Sequence, residues 1–386
     1  MNRHFLRDIA DIQTGPFGSQ LHKEDYVDIG TPIVTVEHLG NRVFTEQNLP
    51  KVSDEDKARL SKYVLKEGDI VFSRVGSVDR CSYVDAAHDG WMFSGRCLRV
   101  RPNTEVDPLY LYYFFCLEDT KQFVRNIAVG ATMPSINTKL LGEVEVAYPS
   151  QTEQQKIVAL LSALDDKIEI NQKINDNLQQ QAAALFANFY DQAETEVGFT
   201  EMIQILGGGT PKTGESSYWN GDIPFFTPKD VGFPYTLTTE KTITEEGLAH
   251  CNSRLYPINT VFVTARGTVG KVGLPGVPMA MNQSCYALVG KDTYQLLVYF
   301  YTLKAVDRLK HKASGAVFDA ITTRDFEAEN IMKLSDDDTK AFLDVAEPIY
   351  QAVLNNSIEN LRLSELRDSL LPKLMNGEID VTDIRL

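Results

Sequence analysis

The sequence from Ile157 to Phe189, IVALLSALDDKIEINQKINDNLQQQAAALFANF, is the strongest guide to the architecture of this chain. Apolar residues and two asparagines recur along it at alternating steps of four and three residues. Such spacing is the 3.5-residue period of a coiled-coil seam, so it predicts one long helix packed lengthwise against another. The seam positions are Ile157, Leu161, Leu164, Ile168, Asn171, Asn175, Leu178, Ala182, Leu185 and Phe189.

The same pattern returns 185 residues later and again places two asparagines in the seam. A seam asparagine satisfies its amide in only one alignment, so these residues predict a helix pair of fixed register. The four register residues are Asn171, Asn175, Asn356 and Asn360. Pro348 should kink the second helix or divide off a first segment, and Gly377 should end it. Two separate helices, each lying on its own domain, remain an alternative, although about 35 residues would span about 50 Å.

The repeat continues outside the helices and predicts two similar globular domains. Short runs of Val, Ile, Phe and Tyr between Gly, Pro and Asn predict strands and turns, with one helix near the end of each copy. Matched pairs are Gly130–Thr138 with Gly315–Thr323, Cys97 with Cys285, Ser73–Val78 with Ala265–Val269, and Thr14-Gly15-Pro16 with Gly209-Thr210-Pro211.

The predicted fold is therefore α+β, with two similar globular domains joined and separated by two long antiparallel coiled-coil helices. Ser150 or Thr152 can cap the first long helix and Ser335 the second. The predicted segments are residues 1–150 and 197–334 for the domains, 151–196 for the central helix and 335–386 for the C-terminal helix.

The net charge of -15, from 38 basic and 53 acidic residues among 386, argues at first against a nucleic-acid partner. Most of that charge lies in the helices. Residues 151–196 have 3 basic and 8 acidic residues, and residues 335–386 have 5 and 11. The domains have 17 basic and 21 acidic residues over 1–150, and 13 of each over 197–334. Because the domains are nearly neutral, composition does not exclude DNA.

Several classes of protein are disfavoured by what the sequence lacks. It has no apolar run of membrane-spanning length and no signal peptide at its start, so we expect a cytoplasmic protein without a membrane partner. Its five scattered cysteines predict neither a disulfide framework nor a zinc site. Gly207–Gly214 lacks the ending of a phosphate-binding Walker A loop, and the six histidines show no metal-ligand spacing. We therefore predict a protein with no catalytic site and no bound metal.

What remains are matched loops that are rich in Gly, Ser, Thr, Lys and Arg. Gln13–Lys23 and Ser73–Arg80 lie in the first copy, and Gly208–Thr213 and Ala265–Lys271 lie in the second. Glycine allows a backbone to approach a ligand, while hydroxyl, amide and cationic groups suit phosphates and base edges. On composition alone, tight turns with solvated charges are the simpler interpretation.

Three motifs resemble the specificity (S) subunits of Type I restriction-modification systems. Gly208–Pro211 followed by Tyr218–Phe225 is similar to the start of that family's target recognition domains, and Thr14–Leu21 looks like a variant of the same start. Pro149–Ile157 resembles the beginning of the helix between the domains. Two features depart from the family pattern: Asp79 stands where Gly is common, and Ser335–Asp338 replaces the usual Pro and Glu-Gln.

The resemblance implies that each domain binds one half of a bipartite, asymmetric site on double-stranded DNA, and that the helices set the gap between the halves. Two modification subunits using S-adenosylmethionine would dock on the helices, and restriction subunits would use ATP and Mg²⁺, while this chain would bind no cofactor. The implied DNA-binding residues are Gly18, Ser19, Gln20, Lys23, Arg74, Ser77, Arg80, Thr210, Lys212, Thr213, Lys229, Arg266, Thr268 and Lys271. For each, a solvated surface position is an equal alternative.

Two other functions stay open at this point. One is the specificity subunit of a related system, whose single partner both methylates and cuts DNA. The other is a non-catalytic coiled-coil scaffold or DNA mimic that uses its acidic helices.

Overall fold

The structure is a computed structural model that describes residues 1–16, 20–103, 105–232, 234–312 and 320–382. The chain forms two compact units. The first unit comprises Met1–Asp166 with Glu365–Leu386, and the second comprises Lys167–Ser364. Both long helices, Gln151–Gln192 and Asp336–Met375, are shared between the units. The segment boundaries predicted from the sequence therefore do not follow these compact units, and they stay a prediction.

The first unit is built around a main sheet in which every neighbouring pair of strands is antiparallel. In spatial order, its strands are Ala10–Thr14, Cys97–Pro102, Ile70–Ser73 and Cys81–Tyr83. A second sheet contains Tyr26–Val27, Lys51–Val52, Thr31–Val34 and Met92–Phe93, and Asn2–Phe5 pairs with Glu145–Tyr148. The helices of this domain are Leu6–Ile9, Asp54–Arg59, Pro108–Cys116, Glu118–Ile127 and Thr138–Leu141.

The second unit repeats this topology, which confirms the predicted α+β duplication. Its main sheet contains Ile203–Gly207, Cys285–Gly290, Val261–Thr264, Val272–Pro275 and Tyr235–Thr236. The second sheet contains Thr242–Ile243, Trp219–Phe226 and Ala280–Met281, and Thr195–Gly198 pairs with Asn330–Lys333. The helices of this domain are Phe199–Met202, Glu245–Ala249, Gln295–Lys312 and Thr323–Glu327.

One interior strand of each main sheet is buried on both faces, which explains its continuous apolar run. All four residues of Ile70–Ser73 are buried, and so are all four of Val261–Thr264. In the first unit the helix Pro108–Cys116 covers one face, with Phe115 packed edge-on against Phe72 at 4.6 Å between ring centroids. Asp107 starts that helix by accepting hydrogen bonds from two backbone N–H groups, and proline at the next position suits a first turn.

Both long helices begin with the same kind of cap, 185 residues apart. The Ser150 hydroxyl accepts from the N–H of Glu153 at 3.4 Å, while the Glu153 carboxylate accepts from the N–H of Ser150 at 3.0 Å. Hydrogen bonding to Ser150 lowers the pKa of Glu153. Ser335 caps the second helix by accepting from the N–H of Asp338 at 3.1 Å. These capping pairs fix where the two helices start.

The end of the C-terminal helix is also as the sequence predicts. Gly377 has a φ of 80°, the left-handed conformation that commonly follows a helix. The helix is not divided at Pro348, because Asp336–Met375 is continuous. Ala346, Tyr350 and Val353 around the proline are buried in the core of the second unit. We infer that this packing stabilises the helix on both sides of the missing backbone donor.

The buried stripe of the central helix differs from the predicted seam at its ends. The structure buries Asp165, Phe186 and Tyr190, whereas the neighbouring seam positions Leu164, Leu185 and Phe189 are only partly buried. At Asp165 the central helix contacts the first domain, and at Phe186 it contacts the second domain. At both points it also contacts the C-terminal helix. Within the second unit, for example, Phe186 stacks on Phe300 at 4.9 Å and meets Phe342 at 5.5 Å between ring centroids.

In the first unit the central helix makes a partly buried ion pair with the C-terminal helix, between Asp165 and Arg367. Asp165, which is 8% exposed, accepts hydrogen bonds from Arg367 at 2.6 Å and from the Tyr113 hydroxyl at 2.7 Å. Burial and the neighbouring Asp165 raise the pKa of Tyr113, so its hydroxyl stays a donor. In the repeat, Tyr350 and Ala182 stand in the positions of Asp165 and Arg367. One unit therefore joins helix to domain by charge and the other by apolar packing.

We expect Arg367→Ala to lower the free energy of unfolding by about 3–5 kcal/mol, because it leaves the Asp165 carboxylate buried without its cation. Urea unfolding of the full chain would measure the change. Arg362→Ala removes an exposed arginine of the same helix and should change stability by less than about 0.5 kcal/mol. Equal losses in the two variants would contradict this role for the ion pair.

Candidate nucleic-acid interface

The alternating strand directions of the first main sheet bring three connections to one end of it. Thr14 pairs with Leu98, Ser73 with Cys97, and Phe72 with Cys81. Consequently, three connections lie at the same end of the sheet: the loop after Thr14, the turn before Cys97 and the hairpin after Ser73. We call the described residues 15–16 and 20–22 the opening loop, residues 74–80 the hairpin loop and residues 94–96 the central turn. Together they form the three-loop face of this unit.

Backbone contacts hold these three connections together. The N–H of Arg74 donates to the carbonyl of Arg96 at 2.8 Å, and its guanidinium donates to the carbonyl of Gly95 at 2.9 Å. The N–H of Gly15 donates to the carbonyl of Cys97 at 3.2 Å. The hairpin loop is backed by a segment that the repeat had identified, since the N–H of Ile136 donates to the carbonyl of Arg74 at 2.9 Å.

The second unit has the same face, formed by residues 208–215, 265–271 and 282–284. The N–H of Ala265 donates to the carbonyl of Ser284 at 2.8 Å, and the Thr210 hydroxyl donates to the side-chain oxygen of Gln283. A further loop joins it, because the Thr268 hydroxyl donates to the carbonyl of Pro228 at 3.2 Å. The N–H of Ile321 donates to the carbonyl of Ala265 at 2.9 Å, as Ile136 does to Arg74. Residues 315–319 of the matched segment lie outside the described residues.

One glycine in each face is required by a close approach of two backbones. A Cβ at Gly15 would lie 2.2 Å from the carbonyl oxygen of Ser94, and one at Gly208 would lie 2.1 Å from that of Asn282. Gly15 and Gly208 are therefore equivalent positions. The sequence match had instead aligned Gly15 with Thr210, and this register is wrong because the backbone contacts of Gly15 match those of Gly208.

Three of the four candidate side chains that the structure describes in the first unit are engaged within the protein. The Gln20 side-chain oxygen accepts from the Tyr63 hydroxyl at 2.6 Å. Arg74 holds the central turn, and Arg80 donates to the backbone carbonyl of Leu39. Ser77 is exposed at the tip of the hairpin loop. Gly18, Ser19 and the side chain of Lys23 lie outside the described residues.

The second unit leaves more of its candidates exposed. Lys212, Thr213, Arg266 and Lys271 are exposed, and among the described residues no side-chain hydrogen bond or ion pair engages them. The Lys229 ammonium lies 3.9 Å from the carboxylate of Glu240. Thr210 and Thr268 donate their hydroxyl protons within the face, as described above. Cations that are not neutralised at the second face are therefore available for a polyanion.

The departure at Asp79 has a structural explanation. The Asp79 carboxylate accepts a hydrogen bond from Arg125 of the helix Glu118–Ile127 at 2.6 Å. At the corresponding place in the second unit, Gly270 has a φ of 75°, and a Cβ there would lie 2.5 Å from Cε of Lys310. The same loop-to-helix contact is thus made by an ion pair in one unit and by a close lysine in the other. The charge of Asp79 is directed at Arg125.

The sequence analysis missed Arg96 and Gln283, which lie in the central turns. Both are exposed, and each lies between the two loops that the sequence singled out. A weak signal was present, because Cys97 and Cys285 match in the repeat and begin the long central strands. Placing the preceding turns between the loops required the order of strands in the sheet.

The four seam asparagines meet in two pairs within the second unit. The Asn171 amide donates to the side-chain oxygen of Asn360 at 2.9 Å, and the Asn356 amide donates to that of Asn175 at 2.8 Å. Asn171 is 1% and Asn175 7% exposed. Asn171 also donates to the carboxylate of Glu359 at 2.7 Å. A shift of 185 residues converts one pair into the other, so the pairs are related by the repeat.

In the described ranges, no cluster of three or more His, Cys, Asp and Glu side chains has the arrangement of a metal site. None of the helices in those ranges has the length and apolar character needed to cross a membrane. All five cysteines are free thiols, and burial raises the pKa of Cys97 and of Cys285 to about 12.

Comparison with known proteins links this architecture to one family. The sequence model described as "Type I restriction modification DNA specificity domain" matches residues 2–180 and again residues 195–333. The chain is 25% identical to the Type I restriction enzyme HindI specificity subunit of Haemophilus influenzae, over 84% of this chain and 89% of that protein. It is 23% identical to the MjaIX specificity subunit of Methanocaldococcus jannaschii, over 98% and 93%.

A solved structure has the same fold. The S subunit of the Type I restriction-modification system from M. genitalium superposes with a TM-score of 0.57 at 16% identity. The match covers 97% of this chain and 95% of that one.

We expect Gly208→Ala to disturb the second face, because the new methyl group would overlap the backbone of Asn282. Overpacking of this kind costs about 1–3 kcal/mol, which thermal unfolding of the full chain would detect. Gly214→Ala is the matched control in the same loop, since no atom lies within 4 Å of its added Cβ. The steric argument would be refuted if the two variants unfolded at the same temperature.

Proposed function

The chain belongs to the Type I restriction-modification DNA specificity family, and on that premise we propose that each unit binds one half of a bipartite, asymmetric DNA site. The observation that carries this proposal is the duplicated three-loop face. Each face presents loops fixed by backbone contacts at one end of a sheet. The two faces carry different side chains, which suits two different half-sites.

The second face is suited to hold the DNA backbone. Lys212, Arg266 and Lys271 are exposed there, and cations of this kind bind phosphates and release counterions. In the first face the guanidiniums of Arg74 and Arg80 are directed at backbone carbonyls. We therefore assign the larger share of the sequence-independent affinity to the second unit.

The long helices would set the gap between the half-sites. The central helix has 42 residues and is about 63 Å long at 1.5 Å per residue. Sliding one helix along the other would break the amide pairs of Asn171 with Asn360 and of Asn175 with Asn356. An unsatisfied buried amide costs about 1–3 kcal/mol, so these pairs would act as register locks.

The remaining functions would belong to partners. Two modification subunits binding S-adenosylmethionine would dock on the acidic helices and methylate adenine in each half-site, and restriction subunits would use ATP and Mg²⁺. DNA as the target makes the cytoplasm the expected compartment. The proteins that the chain matches are named as specificity subunits of Type I enzymes, which favours this function over a scaffold or DNA mimic.

An insertion in the helix pair tests the proposed function. Four residues inserted after Asn175 would lengthen the helix by about 6 Å. Because base pairs are spaced about 3.4 Å apart, we expect the gap to grow by one or two base pairs while both half-sites stay the same. Sequencing methylated DNA from cells that express the full chain with its modification subunits would show this. An unchanged gap would refute the role of the helices in spacing.

The charge assignment makes a separate prediction. Arg266→Gln combined with Lys271→Gln should weaken binding to all DNA sequences alike and reduce the slope of log affinity against log salt by about 1.8, since each phosphate contact contributes about 0.9. A salt titration of DNA binding by the assembled complex would measure the slope. Lys333→Gln combined with Lys340→Gln removes two exposed lysines outside the face and should leave it unchanged. Identical slopes for the two double variants would argue against this assignment.

A further inference from the structure

The central turn of the first unit carries an exposed arginine on a fixed backbone. Arg96 is exposed, and among the described residues its side chain makes no hydrogen bond or ion pair. Its position is the middle of the three-loop face, between the opening loop and the hairpin loop. Arg96 is therefore accessible to a ligand that approaches this end of the sheet.

The backbone of this turn is held from several sides. The N–H of Cys97 donates to the carbonyl of Ser94 at 2.9 Å, which closes the turn, and the N–H of Ser94 donates to the carbonyl of Val34 at 2.8 Å. Arg74 holds the carbonyls of the other two turn residues, and Gly15 packs directly against Ser94. A fixed backbone with a guanidinium free to bind a ligand suits base recognition, because the backbone of the turn needs no further ordering on binding.

The corresponding turn of the second unit carries an amide. Gln283 is exposed, and its side-chain oxygen already accepts a hydrogen bond from the Thr210 hydroxyl. The turn is fixed by the N–H of Asn282, which donates to the carbonyl of Phe226 at 2.9 Å. A carbonyl oxygen accepts two hydrogen bonds, so Thr210 orients the Gln283 amide without using all of its capacity.

From this geometry we propose that the central turns are base-reading elements, with Arg96 recognising a guanine in one half-site and Gln283 an adenine in the other. The inference rests on the proposed function. The arginine fork donates to O6 and N7 of guanine, whereas glutamine accepts from N6 and donates to N7 of adenine. Arg74 and Thr210 are positioning residues, since they act by holding the turn and by orienting Gln283.

The test is the sequence of methylated sites in cells that express the full chain with its modification subunits. A good bidentate contact gives about 1–3 kcal/mol of discrimination, so Arg96→Gln should reduce the preference for guanine about 5- to 150-fold at one position of one half-site. Gln283→Ala should do the same for an adenine in the other half-site. Each variant should leave the opposite half-site as in the wild type.

Matched variants separate base reading from charge and folding. Lys66→Gln removes an exposed cation that precedes Ile70–Ser73, at the opposite end of the same sheet, and should leave the methylated sequence unchanged. Arg96→Lys keeps the positive charge but loses the planar fork, so it should relax the same guanine while DNA binding persists. Thr210→Val should relax the adenine read by Gln283, which a purely structural role for Thr210 would not do.

Two results would overturn the inference alone. One is a methylated sequence that Arg96→Gln and Gln283→Ala leave unchanged. The other is a uniform loss of methylation by both variants, with the same bases preferred at every position, which would indicate phosphate contact. A wild-type complex that methylated no defined bipartite site would instead refute the proposed function, and this inference with it.

Discussion

The buried amide pairs between the long helices are the constraint on which the rest of the structure depends. An amide removed from water must find partners, and Asn171 and Asn175 find them only with the helices in one alignment. That alignment brings Phe186 against Phe342 in the second unit and Arg367 against Asp165 in the first. Apolar seams tolerate some sliding, whereas buried amides do not. We therefore propose that polar residues specify the helix register and that apolar residues stabilise it.

The sequence periodicity was sufficient to predict the two long helices. It was not sufficient to predict which parts of the domains the helices contact. Ser150, Ser335 and Gly377 act locally, and for that reason the starts and the end of the helices could be predicted. The burial of Asp165 and Phe186 depends on side chains from distant parts of the chain, which a heptad pattern does not contain. The fold class followed from the repeat because each copy preserves the order of its strands.

Only part of the candidate site could be predicted, because some of its features are local in sequence and others depend on distant contacts. The opening and hairpin loops could be found because glycine, hydroxyl and cationic residues are concentrated in them. Whether Arg74 and Arg80 face a ligand or the protein depends on carbonyl groups far away in sequence, and both proved to be engaged internally. The sequence did not single out Arg96 and Gln283. A turn of three residues is too short to show a distinctive composition. Its position between the two loops depends on the order of the neighbouring strands in the sheet.

The close packing of Gly15 on Ser94, and of Gly208 on Asn282, has a consequence for how such a protein can evolve. These contacts join backbone to backbone, so they place no demand on the side chains of the two residues that follow in each turn. Gly95 and Arg96 in one unit correspond to Gln283 and Ser284 in the other, on the same support. Mutation can therefore replace the exposed Arg96 or Gln283 without loss of this backbone support. Under the proposed base reading, a single such substitution would be enough to change the DNA specificity in a lineage.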